Sequence, residues 1–128
     1  MAETLPYGMK GKPMEHYARQ GEVLILKLAD EALPDWPALA MEGGNLIVGH
    51  SESGHHHVIE RPAAVKIVAK PDTGAMTVLR MIVTEPTRVI HLRGHDTHKP
   101  VEIAPGTYEI RGQQEYDPYA ELARRAAD

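Results

Sequence analysis

Cysteine is absent from this chain, and so is phenylalanine. Without thiols there is no disulfide and no thiolate metal site, so any metal must be held by imidazole or carboxylate. The absence of cysteine leaves the compartment open. Without phenylalanine, and with Trp36 as the single tryptophan, the core has to be packed from Val, Leu, Ile, Met and Ala. An excess of positive charge is also missing. The formal net charge is −4, with Lys and Arg spread along the chain, which is no footprint for nucleic acid. No apolar run approaches the roughly 20 residues of a membrane span, and the N-terminus lacks the apolar centre of a secretory signal. The expectation is a soluble cytoplasmic protein, or a virion component if the chain is part of a phage particle, with no membrane partner.

What the chain does contain is short apolar stretches at regular spacing. Its 128 residues suit one domain, long enough to bury roughly two thirds of its unfolded surface. Glu22 to Leu28 alternates as a strand with two apolar faces, which suits a central position. Leu46 to Val48, Val58 to Glu60, Val65 to Ala69, Ala75 to Val83, Thr87 to Leu92, Val101 to Ile103 and Thr107 to Arg111 read as further strands. Glu42-Gly43-Gly44-Asn45 reads as a turn. Lys70 to Gly74 reads as a hairpin connection, and so does Ala104-Pro105-Gly106. One helical turn is expected over Met14 to Arg19, and a short helix or loop over Asp30 to Leu33. Trp36 is expected to lid one end of the core. Asp117-Pro118 opens an alanine-rich C-terminal helix, with Asp as N-cap and Pro at the first helical position. The expected fold is mainly β: a small antiparallel barrel or sandwich of about eight short strands with a C-terminal α-helix. An irregular N-terminal arm would occupy residues 1–20, the β domain 21–116 and the helix 117–128.

Histidine is the residue this sequence uses most pointedly. Four of its eight histidines, His50, His55, His56 and His57, lie within eight residues beside Gly49 and Gly54. His91, His95 and His98 form a second cluster around Gly94. In an extended strand His55 and His57 share a face and His56 points away, and a His-x-His pair can hand two imidazoles to one metal. If the two histidine-bearing strands are neighbours, His50, His55, His57, His91, His95 and His98 become candidate ligands for a divalent transition metal, zinc or iron first. Glu52, Glu60 and Asp96 are the carboxylates at hand, as ligands, outer partners or proton carriers. Against this stands a plainer reading, in which the histidines form a polar network that pins loops, or a protonation switch. Arg61, Arg80, Arg88 and Arg93 read as solvated strand positions.

Two resemblances bear on the site. Gly49, His55, His57 and Glu60 resemble the first cupin motif, although only two residues separate His57 from Glu60, and Pro105-Gly106 is not followed by the histidine of the second motif. The closer likeness runs through Tyr17 to Leu26, Gly49 to Ile59, His91 to His98 with Pro100 to Ile110, and Gln114-Glu115-Tyr116-Asp117-Pro118. In that order these segments resemble a family of small uncharacterised proteins of bacteria and their phages. The resemblance implies that His50, His55, His57, His91, and His95 or His98, are the family's histidines, and it implies a phage or prophage setting. It implies no reaction.

Three functional classes follow. One is a cupin-like metal-dependent enzyme, with the metal activating water or a substrate oxygen. The second is a binding module with a closed metal site. The third is a phage structural protein, a capsid decoration or head accessory subunit, with homo-oligomeric or other phage structural partners and histidines that pack rather than ligate. No nucleophile and base pair stands out beyond the histidines, so the expectation is a small phage-type β protein with a clustered-histidine metal site and no established catalysis.

Overall fold

The computed structural model describes residues 14–50, 56–92 and 99–113. They form nine strands: β1 Glu15–Gln20, β2 Val23–Leu28, β3 Leu46–Gly49, β4 His57–Ile59, β5 Val65–Ala69, β6 Met76–Val83, β7 Thr87–His91, β8 Val101–Ile103 and β9 Gly106–Gln113. A single turn of 3-10 helix, Pro62–Ala64, precedes β5. The strands build two antiparallel sheets, ordered β1-β2-β9-β6-β5 and β3-β4-β7-β8. The result is a sandwich with no closed barrel. The helix expected over residues 117–128 lies outside the described residues, as does the arm over 1–13. Among the described residues no helix is long and apolar enough to cross a membrane.

Alternation along the strands decides which side chains meet. Val23 and Ile25 of β2, Leu79, Met81 and Val83 of β6, and Tyr108 and Ile110 of β9 face Leu46 and Val48 of β3, Ile59 of β4, Val89 of β7 and Ile103 of β8. Tyr108 is the large aromatic of this core. Its ring lies edge-on to Tyr17, with centroids 5.0 Å apart. Its hydroxyl donates to the Ala104 carbonyl at 2.6 Å, four residues upstream. Burial, followed by the neighbouring Tyr17, pushes the Tyr108 phenol well above its ordinary pKa.

Three sequence expectations change. Met14 to Arg19 is no helical turn: Glu15–Gln20 pairs with β2 across Gly21, which takes a left-handed φ of 57°. The unpaired edge of β2 outweighs the weak helical preference of so short a segment. Ala104-Pro105-Gly106 does not join a hairpin, because β8 pairs with β7 while β9 pairs with β2 and β6. The chain changes sheets there. Gly106, at φ 152°, passes so close to Lys27 that an added Cβ would lie 2.9 Å from its Nζ. Trp36 does not lid the core end. It is half-buried on the outer face of the five-stranded sheet, under the Arg80 guanidinium.

Other turns stand as expected. Gly43 and Gly44 take φ 58° and 83°, and Glu42 and Asn45 exchange both backbone hydrogen bonds across them. Asp30 to Leu33 is irregular, and the chain beyond it lies along β5, with Leu39 N–H donating to the Ile67 carbonyl and Ala69 N–H to the Pro37 carbonyl. That contact covers an otherwise open sheet edge.

Candidate functional site

The two histidine-bearing strands are neighbours. β4 pairs with β7, and His57 stands directly opposite His91. Leu92 N–H donates to the His56 carbonyl and Glu60 N–H to the Arg88 carbonyl. These bonds fix 56/92 and 60/88 as hydrogen-bonded pairs, so His57 and His91 form the intervening non-hydrogen-bonded pair, in which side chains approach most closely. Their ring centroids lie 4.7 Å apart. Both sit on the inner face of the sheet, one step beyond the Ile59–Val89 core pair.

Two residues fix His57. Gly49 is its partner on β3, and a Cβ there would stand 2.5 Å from Val23 Cγ2 and 3.0 Å from His57 Cδ2. Only hydrogen fits between these groups, which lets the imidazole settle against the sheet with 4 % of its surface exposed. Gln20, at the end of β1, is also buried. Its Nε2 donates to the Val89 carbonyl at 3.1 Å and the Lys99 carbonyl at 2.8 Å. Those two acceptors determine which way the amide faces, so Oε1 meets His57 Nδ1 at 2.7 Å as an acceptor. Nδ1 therefore carries the proton, and Nε2 is the basic nitrogen of neutral His57. This is the arrangement by which proteins orient a ligating imidazole from its far side.

The remaining candidates separate. His50, just past β3, is largely exposed and pairs with Glu42 Oε2 at 3.0 Å. Its ring lies 5.3 Å from that of His56. A small recess lined by Glu22, Gly49, His50, His57, Thr77 and Gly112 brings His50 to the same opening as His57. His55, His95, His98, Glu52, Asp96 and Arg93 lie outside the described residues. Among the described residues, no group of three His, Asp or Glu side chains is arranged to hold a metal.

Glu60 is engaged elsewhere. Its carboxylate takes Arg88 Nε at 2.8 Å and Arg88 Nη2 on the other oxygen. The hydrogen bond to Arg88, with that cation's charge and Arg61's behind it, holds the Glu60 carboxyl below its ordinary pKa. Arg88 is thus not merely solvated, and neither is Arg61, which pairs with Glu85 at 3.1 Å. The residue that sequence reasoning passed over is Gln20, which fell within the expected arm. Its one signal in the sequence was its place in the Tyr17 to Leu26 segment, the first of those that carry the resemblance.

No curated protein and no solved structure matches this chain. Residues 19–113, from the strand that carries Gln20 to the end of β9, match a family described as "Domain of unknown function (DUF8820)". The matched span contains Gln20, Gly49, His57 and His91, and the chain belongs to this uncharacterised family.

Proposed function

We propose that this protein is a phage- or prophage-type β-sandwich that binds one divalent transition metal, zinc or iron, through the histidines of β4, β7 and the segments beside them. It acts as a binding module, with no catalysis established. The observation that carries the reading is the His57–His91 pair with Gln20 behind it: two imidazoles meet with their centroids 4.7 Å apart and their planes tilted by 44°, and Gln20 sets the tautomer of His57 so that Nε2 is its basic nitrogen. His55, His95 and His98 are close enough in sequence to supply the further ligands that a stable site needs. His50, paired with Glu42, stands at the rim as a replaceable donor. The phage setting, with homo-oligomeric or other phage structural partners, follows from the resemblance of the motif segments alone. The alternative of a cupin-like metal-dependent enzyme is weakened at Glu60, the carboxylate of the motif it resembles, which is paired with Arg88.

Elemental analysis of protein purified without a nickel column tests the proposal. About one equivalent of zinc or iron per chain is expected, since a closed imidazole site retains its ion through purification. The His57→Ala/His91→Ala variant should lose that metal. Metal-free, stably folded wild-type protein would overturn the reading, and the histidines would then be a polar network serving the fold or a capsid-accessory assembly.

A further inference from the structure

The outer face of the five-stranded sheet carries an arrangement unrelated to the histidines. Arg80 of β6 and Glu109 of β9 are direct cross-strand partners, and Arg111 lies two residues along β9 on the same face. Glu109 is almost fully buried, and its two oxygens each take one arginine Nε, from Arg80 at 2.5 Å and from Arg111 at 2.5 Å. One buried carboxylate thus fixes two guanidiniums. The Arg80 guanidinium also lies 5.7 Å from the Trp36 ring centroid, which restrains it from a second side. Its side chain is 20 % exposed.

A guanidinium has five N–H donors, and Glu109 uses only the Nε–H of Arg80. Among the described residues the terminal amines of Arg80 have no protein acceptor. Arg111 Nη2 meets only the Met14 thioether, a weak acceptor, at 3.3 Å. These groups line a groove of about 600 Å³ together with Lys70 and Asp72. Three cations therefore face two carboxylates there, in a chain whose net charge is negative.

From this geometry we infer a binding site for a small oxyanion, a phosphate or carboxylate group of a metabolite, held by the terminal amines of Arg80 with Lys70 and Arg111 in support. Orientation by Glu109 and Trp36 lowers the ordering cost that a free surface arginine would meet on binding. The planar fork matches two oxygens of one anion, which an ammonium cannot do.

Trp36 is the chain's single tryptophan, so its emission reports on this groove alone. The full chain is titrated with inorganic phosphate, and separately with acetate, at ionic strength held constant with chloride. Saturable change with one anion and a chloride-like response to the other supports the site and says which group it takes. Arg80→Lys should weaken that binding at least tenfold, with the far-UV circular dichroism unchanged. Lys70→Gln, which touches neither Glu109 nor Trp36 by any bond described, should weaken it several-fold and guards against misfolding of the arginine variant. A response to both anions indistinguishable from chloride, or equal binding by wild type and Arg80→Lys, overturns the inference.

Discussion

Replacing Gly49 by alanine tests the packing that positions His57. The new methyl would stand 2.5 Å from Val23 Cγ2 and 3.0 Å from His57 Cδ2. Val23 is 1 % exposed and branched at Cβ, so it cannot swing aside. Overfilling a packed core costs about 1–3 kcal/mol. Alanine in a strand recovers about 0.5–1 kcal/mol of the backbone entropy that glycine loses. The net is a destabilisation of roughly 1–2 kcal/mol, or a fall in Tm of about 4–8 °C for a domain of this size. Calorimetry of a double-mutant cycle isolates the cause. Val23→Ala alone should destabilise by about 2 kcal/mol through the lost methyls and the cavity. In that background Gly49→Ala should cost clearly less than in the wild type, because the blocking Cγ2 is gone and only the His57 ring, 3.0 Å from the new methyl, still has to give way. If the two substitutions simply add, the close approach of Val23 to Gly49 is not what opposes a side chain at this position.

Two further outcomes follow from bonds already described. Gln20→Leu strips acceptor or donor partners from Val89 O, Lys99 O and His57 Nδ1 at once. With about 1–3 kcal/mol for each buried group left unsatisfied, the loss should reach roughly 3 kcal/mol, and a urea midpoint within about 0.3 M of wild type would count against the clamp. The same variant should let His57 populate both neutral tautomers, visible in its ring nitrogen shifts. Tyr108 has a raised phenol pKa in the folded state, so its contribution is complete below the unfolded value near 10 and declines as pH rises from there towards the folded value. Urea titrations from pH 9 to 11 should show that decline in the wild type and a shallower one in Tyr108→Phe. Equal slopes would mean that the phenol titrates normally.

Periodicity carried much of the fold. Leu79, Met81 and Val83 turn inwards from β6 as a two-residue alternation requires, and Gly43 and Gly44 build the turn their lack of a side chain permits. Sheet membership was not legible. Val101 to Ile103 and Thr107 to Arg111 look like hairpin arms, yet local pattern cannot tell a turn within a sheet from a step between sheets. β1 was missed because Glu15 to Gln20 has almost no apolar alternation, and it is a strand only because β2 offers an edge. The site was legible as a concentration of histidines. Their separation into an inner pair, His57 and His91, and a rim pair, His50 and His56, depended on strand register. Gln20 and Glu109 share a reason for being overlooked. A buried polar residue looks like a surface one until its partners, far away in sequence, are known.

The place of β9 also shapes how the chain reaches this structure. It follows every other described strand in sequence, yet it sits third in its sheet, bonded to β2 on one side and β6 on the other. During synthesis the β1–β2 and β5–β6 hairpins emerge first and have no common partner until residues 106–113 arrive. Loops of tens of residues must then close in one step, which places the domain among slow, high-contact-order folders on the millisecond-to-second scale. Until that step both hairpins display unpaired apolar edges. The interval before β9 docks is when unpaired strand edges leave this chain most open to aggregation.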